Sequence, residues 1–234
     1  MEEGKIYVGK YDYKTKNGPI PPNCIVENIH VDHPLSPYVL KTREGYLIEN
    51  VWQFSKVYSR VDHQEQWSYV KGHYQKVKIW DHPSQVHIDL NSQPNSLYYE
   101  WRNKGFQNPY AIRYPNGYHG RNNVKYSLWR DNDHEPWEIL DYIQARKKIY
   151  FALYKDILRD HPYFLKLKNI VSQGGSICIN EVDGPSKSSK VLKGKIIDDY
   201  CIASKELLVD LMEETCAPFG HGYTIAALLL DMDF

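Results

Sequence analysis

The sequence has no excess of charge in either sense: 29 basic residues stand against 29 acidic ones. A protein that coats nucleic acid through its net field is therefore not expected, although a local basic patch stays open. No run approaches about 18 consecutive apolar residues, so no segment reads as membrane-spanning. The opening Met1-Glu2-Glu3-Gly4-Lys5 holds no apolar targeting core. The four cysteines, Cys24, Cys178, Cys201 and Cys216, form no CxxC pair and no zinc spacing. Without a secretory signal they read as reduced thiols of a cytoplasmic protein. P-loop, GxGxxG, GxSxG and HExxH motifs are all missing. The histidines are dispersed without ligand spacing, so neither a metal nor a cofactor is expected.

What is present is ordinary in bulk and unusual in detail. Hydrophobic content is 42% and charged content 25%, as in a soluble globular protein. Twenty tyrosines and six tryptophans are a heavy aromatic load. A chain of 234 residues suits one domain with a sizeable core.

Lys5 to Tyr13 alternates loosely and reads as an edge strand; Ile25 to Val31 and Tyr38 to Lys41 read as short strands around a His33-Pro34-Leu35-Ser36-Pro37 turn. From Asp62 to Tyr118 the helical period is lost among Gly72, Pro83, Pro94, Gly105, Pro109, Pro115 and Gly117, so this stretch reads as an elaboration inside the domain. A sustained 3.6 period from Trp137 to about Arg159 predicts the clearest helix, opened by Pro136 and followed by a shorter one from Pro162 to Val171. Ser176 to Val182 reads as extended, Ser186 to Lys195 as a mobile Ser/Lys loop, and Ser204 as the cap of a helix to about Thr215. Tyr223 to Asp231 is apolar nearly all round, which predicts a central buried helix. The expected class is mainly α, a single helical domain over 1–234 with a few short strands and the irregular insertion 62–118.

The organising stretch is Ile48 to Arg60. On a helix, Glu49, Gln53, Lys56 and Arg60 fall on one face, and Leu47, Val51, Phe54 and Tyr58 on a second. The second face suits a core. The first holds a carboxylate, an amide and a primary amine in one row. It reads either as a solvated polar stripe or as a reactive amine with an acid one helical face away.

Trp101 to Arg130 interleaves six basic residues (Arg102, Lys104, Arg113, Arg121, Lys125, Arg130) with seven aromatics (Trp101, Phe106, Tyr110, Tyr114, Tyr118, Tyr126, Trp129) and no acid. Such a composition suits phosphates and unstacked bases. It equally suits an irregular aromatic subcore with solvated charges.

Several segments in one order resemble the NADAR family, which is associated with removing ADP-ribose from modified guanine and was once annotated through riboflavin biosynthesis. Leu35-Ser36-Pro37-Tyr38 resembles its Leu-Ser-Asn-Phe segment. Ile48 to Lys56 resembles its Ser-Glu-His-Tyr-x-Gln-x-x-Lys helix, with Glu49, Gln53 and Lys56 matching and Asn50 in place of the histidine. Gly120-Arg121, Trp137-Glu138, Arg146-Lys147, Asp183-Gly184 and Gly222 to Ala227 resemble later segments. The resemblance spans roughly Leu35 to Met232, apart from the insertion.

The resemblance implies an enzyme, an N-glycosidase that takes ADP-ribose from guanine in nucleic acid through a lysine Schiff base. Lys56 is then the nucleophile, in need of a lowered pKa, and Glu49 moves protons. Gln53 and Trp52 flank the substrate, Arg121 takes the pyrophosphate and Asp183 the ribose hydroxyls. Gly220 and Gly222 let the N-terminus of the last helix approach a phosphate. Two other readings stay open: an N-glycosidase on a free ribosylated nucleotide, such as a riboflavin-pathway intermediate, and a catalytically idle module that binds ADP-ribose. The implied partner is an ADP-ribose-containing ligand, with ADP-ribosylated DNA or RNA as its carrier and no membrane.

Overall fold

The computed structural model describes residues 4–62, 65–70, 73–78, 84–132 and 134–234. Gly72 and Pro83, two of the expected breakers, lie outside the described residues, as do Met1 to Glu3. In chain order the elements are β1 (Ile6–Lys10), β2 (Cys24–Asn28), α1 (Ile48–Phe54), β3 (Lys56–Tyr58), β4 (Arg60–Val61), β5 (Glu65–Val70), β6 (His73–Lys78), β7 (Gln85–Val86), α2 (Ser96–Gln107), α3 (Gly117–Gly120), β8 (Val124–Trp129), β9 (Glu138–Leu140), α4 (Tyr142–Ala145), a π-helical stretch (Arg146–Phe151), α5 (Ala152–Leu158), α6 (Pro162–Ser172), β10 (Ser176–Glu181), β11 (Tyr200–Ile202), α7 (Lys205–Glu213) and α8 (His221–Leu229). Strands and helices are interspersed throughout. The expectation of a mainly α chain is therefore corrected to a mixed α/β fold. The strands escaped notice because each is short and several are buried on both faces, which removes the alternation that marks a half-buried strand.

The chain divides into two compact units, one formed by Met1–Val39 with Arg146–Phe234 and the other by Leu40–Ala145. The first is built on a four-stranded sheet in the order β11-β1-β10-β2. β1 runs parallel to β10, with Ile6 opposite Ile177 and Lys10 opposite Glu181, and β10 runs parallel to β2. β11 closes the far side antiparallel to β1. The expected edge strand at Lys5 to Tyr13 is thus an interior strand, and Tyr7, Val8, Ile177 and Ile179 are all buried. α8 packs on β1 and β10, and α5, α6 and α7 pack on α8. Every residue of α8 from Gly222 to Leu229 is buried, as its all-round apolar pattern predicts.

Two polar anchors hold this unit. Arg146 is 1% exposed. Its Nη1 donates to the carbonyls of Leu211, Met212 and Glu214 at 3.0, 2.7 and 2.9 Å, and its Nη2 donates to Ala217 at 3.3 Å. One guanidinium therefore satisfies the open carbonyls at the end of α7, which no intrahelical N–H reaches. The Ser/Lys loop is held as well. The buried carboxylate of Glu214 accepts from the Ser189 hydroxyl at 2.5 Å and from the Lys190 N–H at 2.6 Å. Leu192 is 1% exposed. The expected mobile loop is pinned to the core.

The second unit carries a three-stranded antiparallel sheet, β3-β8-β9, and two two-stranded pairs, β4-β7 and β5-β6. Trp137 to Leu140 was read as the start of a helix but forms β9 and its approach; helix begins only at Tyr142. α2 lies where no helix is legible. Its buried residues Tyr98, Trp101, Arg102, Gly105 and Phe106 do keep helical spacing, but the apolar face is written in aromatics, an arginine and a glycine instead of aliphatics. The Asn95 side chain caps it, accepting from the Tyr98 N–H at 3.2 Å. Gly105 is required because the Phe54 ring lies against it: a Cβ there would stand 2.0 Å from Phe54 Cδ1. That contact fixes α1 on α2 and sets the platform for the site.

Candidate active site

α1 is two turns long and starts without a side-chain cap. The Ile48 N–H, bonded to the Leu40 carbonyl at 3.0 Å, sets the direction in which it starts. The helix stops at Phe54. Ser55 donates its hydroxyl back to the Val51 carbonyl at 2.7 Å, and its own carbonyl accepts from the Leu128 N–H at 2.8 Å. This sheet bond draws the chain off the helix, and Lys56 opens β3 opposite Ser127. Lys56 is therefore a strand residue, where the helical row predicts a helical one.

The neighbours along the row are kept all the same. Gln53 Nε2 donates to Glu49 Oε1 at 2.9 Å, and Lys56 Nζ donates to Gln53 Oε1 at 2.8 Å. The two partners fix the orientation of the amide, with oxygen toward the amine and nitrogen toward the carboxylate. Lys56 Nζ also stands 4.5 Å from the centre of the Trp52 ring. Glu49 and Gln53 are buried at 5% and 8% exposure, whereas Trp52 and Lys56 are half-buried. A solvated stripe would show all of them exposed. Arg60 leaves the row. It lies in β4, is exposed, and bonds Asp62 Oδ1 at 2.7 Å and Ser84 Oγ at 2.5 Å.

Burial pushes the Lys56 amine down to about 8, the Arg113 guanidinium pushes it the same way, and Glu49 opposes them. At pH about 7.4 roughly a fifth of such an amine is neutral, against about a thousandth of an ordinary lysine. The group can thus act as a nucleophile near neutrality, with a carboxylate coupled to it through one amide.

The other sequence-predicted residues lie elsewhere. Arg121 is engaged locally: Nη1 donates to the Tyr118 carbonyl at 2.6 Å and Cζ stands 3.8 Å from the Tyr118 ring centre. The other cations of the basic-aromatic stretch behave similarly. Arg102, 9% exposed, stands 4.2 Å from the Phe106 ring and 4.8 Å from Trp137, and Arg130 stands 4.4 Å from Trp137.

Asp183, Gly220 and Gly222 belong to the first unit. Asp183 sits in a turn closed by the Gly184 N–H on the Glu181 carbonyl at 3.1 Å. Gly220 and Gly222 do admit an anion to the start of α8, and it is the protein's own Glu181. A Cβ on Gly220 would stand 2.3 Å from Glu181 Oε2, and one on Gly222 2.8 Å from Oε1. Glu181 is fully buried, and burial raises its pKa, as does Asp183, while His221 lowers it. His221 Nδ1 is 3.2 Å from Glu181 Oε2, and its Nε2 faces the Ile29 carbonyl at 3.3 Å. A carbonyl only accepts, so Nε2 carries a proton and a second proton lies between Nδ1 and the carboxylate.

Sequence reasoning missed Arg113 as a site residue; the basic-aromatic stretch contains it but nothing singles it out. It also left open the role of Asn50, which is fully buried and bonded to the chain from Asn108 to Ile112. Among the described residues no group of three or more His, Cys, Asp or Glu is placed to hold a metal ion, and no helix is long and apolar enough to cross a membrane. No family model, no curated protein and no solved structure matches this chain.

Proposed function

We propose that the chain is a lysine-dependent N-glycosidase that removes ADP-ribose from ADP-ribosylated guanine. The observation that carries this reading is the Glu49–Gln53–Lys56 relay over Trp52, with the amine held at about 8. It agrees with the resemblance of Ile48 to Lys56 to the NADAR helix, and the second unit alone supplies it.

In this reading the neutral Lys56 amine donates its lone pair to the anomeric carbon, and the bond from that carbon to the guanine nitrogen breaks. The departing base takes a proton by way of Glu49. One amine proton passes to the ring oxygen as the sugar opens, which leaves an imine. Water adds to the imine, and its collapse returns the amine and frees the open-chain sugar. Gln53 keeps amine and carboxylate in register through the cycle.

A free ribosylated nucleotide is the second reading. It is favoured by the pairing of Arg102, Arg121 and Arg130 with rings of their own unit, which occupies groups that an extended nucleic-acid platform would use. The test is incubation with ADP-ribosylated guanine in DNA, in RNA and as the free nucleoside, with mass spectrometry of the products. Release of unmodified guanine from the polymers supports the first reading, and release only from the nucleoside selects the second. Binding of ADP-ribose without release of base from any substrate would contradict both.

A further inference from the structure

The chain from Asn108 to Arg113 is held by the helix that carries Glu49. Asn50 Nδ2 donates to the carbonyls of Asn108 and Tyr110, both at 3.0 Å, and Asn50 Oδ1 accepts from the Ile112 N–H at 2.8 Å. A neutral imidazole has one donor and one acceptor, so a histidine here could not make all three bonds. The three bonds fix the backbone up to the residue before Arg113. Arg113 is half-buried, with Cζ 5.3 Å from the Tyr114 ring centre, and its charge reaches the Lys56 amine.

The charges of the site make this placement informative. With Lys56 neutral, Glu49 alone would leave the site negative and would repel a sugar that carries phosphate. One guanidinium beside the amine cancels that charge and presents paired donors to phosphate oxygens. Arg121 spends its donor and its ring face on Tyr118, whereas Arg113 lies beside the reacting amine.

We propose that Arg113 is the phosphate-recognising side chain of the Lys56 site, and that Asn50 is the positioning residue that holds it there, so that the site takes a sugar bearing phosphate or pyrophosphate. The inference rests on the reading of Lys56 as an imine-forming amine. Arg113 then has two roles: its charge helps keep the amine neutral before the ligand arrives, and it binds the ligand's phosphate afterwards.

The experiment is borohydride trapping on the full chain with three probes at equal concentration: ribose, ribose 5-phosphate and ADP-ribose. The amine and the sugar aldehyde lose water to form an imine, and hydride reduces it to a stable secondary amine. Peptide mass spectrometry then measures the adduct at Lys56. The intact protein should trap the two phosphorylated sugars about tenfold or more in excess of ribose, the effect of one charge-assisted contact. Arg113→Gln should bring that ratio close to one while still trapping ribose at Lys56, with the pH at half-maximal trapping moved upward because a cation has gone. Continued ribose trapping shows the variant to be folded, which a merely structural role for Arg113 would not separate from lost binding. Asn50→Ala should lose the phosphate preference although Arg113 is still present. An Arg113→Gln protein that keeps the full preference would overturn the proposal. An intact protein that traps no sugar at Lys56 at any pH would overturn the reading of Lys56, and this inference with it.

Discussion

Replacing Glu49 by glutamine should make Lys56 a weaker base and the protein a slower enzyme, two effects that are measured separately. Two hydrogen bonds of 2.9 and 2.8 Å separate carboxylate from amine, together with the width of the Gln53 amide. With roughly 2.3 Å for that amide, the charges stand at most about 8 Å apart, which at an effective dielectric constant of about 20 amounts to about 2 kcal/mol. A glutamine at 49 can still accept from Gln53 Nε2, so the geometry is kept while the charge is lost. The loss corresponds to about 1.5 pKa units and should move the amine from about 8 to roughly 6.5. Competitive acetylation of the folded protein across pH, read by peptide mass spectrometry, gives the Lys56 value without any substrate. Base release should fall roughly 10²- to 10⁴-fold, because the proton donor has gone even though more of the amine is neutral. A Lys56 midpoint that stays put or rises would refute the electrostatic reasoning. Full turnover would refute the role of Glu49.

Arg146→Met should destabilise by roughly 3–5 kcal/mol, since four carbonyls lose their donor in a buried place, and urea unfolding would measure it. Gly220→Ala should cost more than Gly222→Ala, within a range of about 1–3 kcal/mol each, because its Cβ meets the buried Glu181 carboxylate at 2.3 Å against 2.8 Å. The pH dependence of stability should bear the mark of Lys56. Its amine is more acidic folded than unfolded, so unfolding takes up a proton between about 8 and about 10.4, and the stability from this group rises with pH across that window. Lys56→Met should abolish the rise in the urea midpoint.

The sequence is most legible where aliphatic residues keep time. α6, α7 and α8 were all expected near their observed places, since Phe164, Leu167, Leu207, Leu208, Leu211 and the run through α8 mark buried faces. Strands such as β1 and β10, buried on both sides, lack the alternation that would separate them from helix, and the fold class was misjudged for that reason. α2 stayed hidden because its inner face is Tyr98, Trp101, Arg102 and Phe106. The site was legible in part for a local reason. Spacings of four and three bring Glu49, Gln53 and Lys56 together even though the last of them begins a strand. Arg60, one step further along the same row, is carried away by β4. Arg113 and Asn50 depend on a tertiary clamp that no local period encodes. The glycines before α8 do mark an anion at a helix start, but that the anion is Glu181, far back in the chain, is a property of the folded sheet.

The central claim is that Lys56 is the attacking amine. Its most direct test is borohydride reduction during turnover of ADP-ribosylated guanine, followed by peptide mapping, beside a Lys56→Arg protein verified as folded by circular dichroism. The account predicts ADP-ribose attached at Lys56 with loss of activity, and neither adduct nor base release from Lys56→Arg, whose guanidinium stays protonated. A folded Lys56→Arg protein that releases guanine at the normal rate would contradict it.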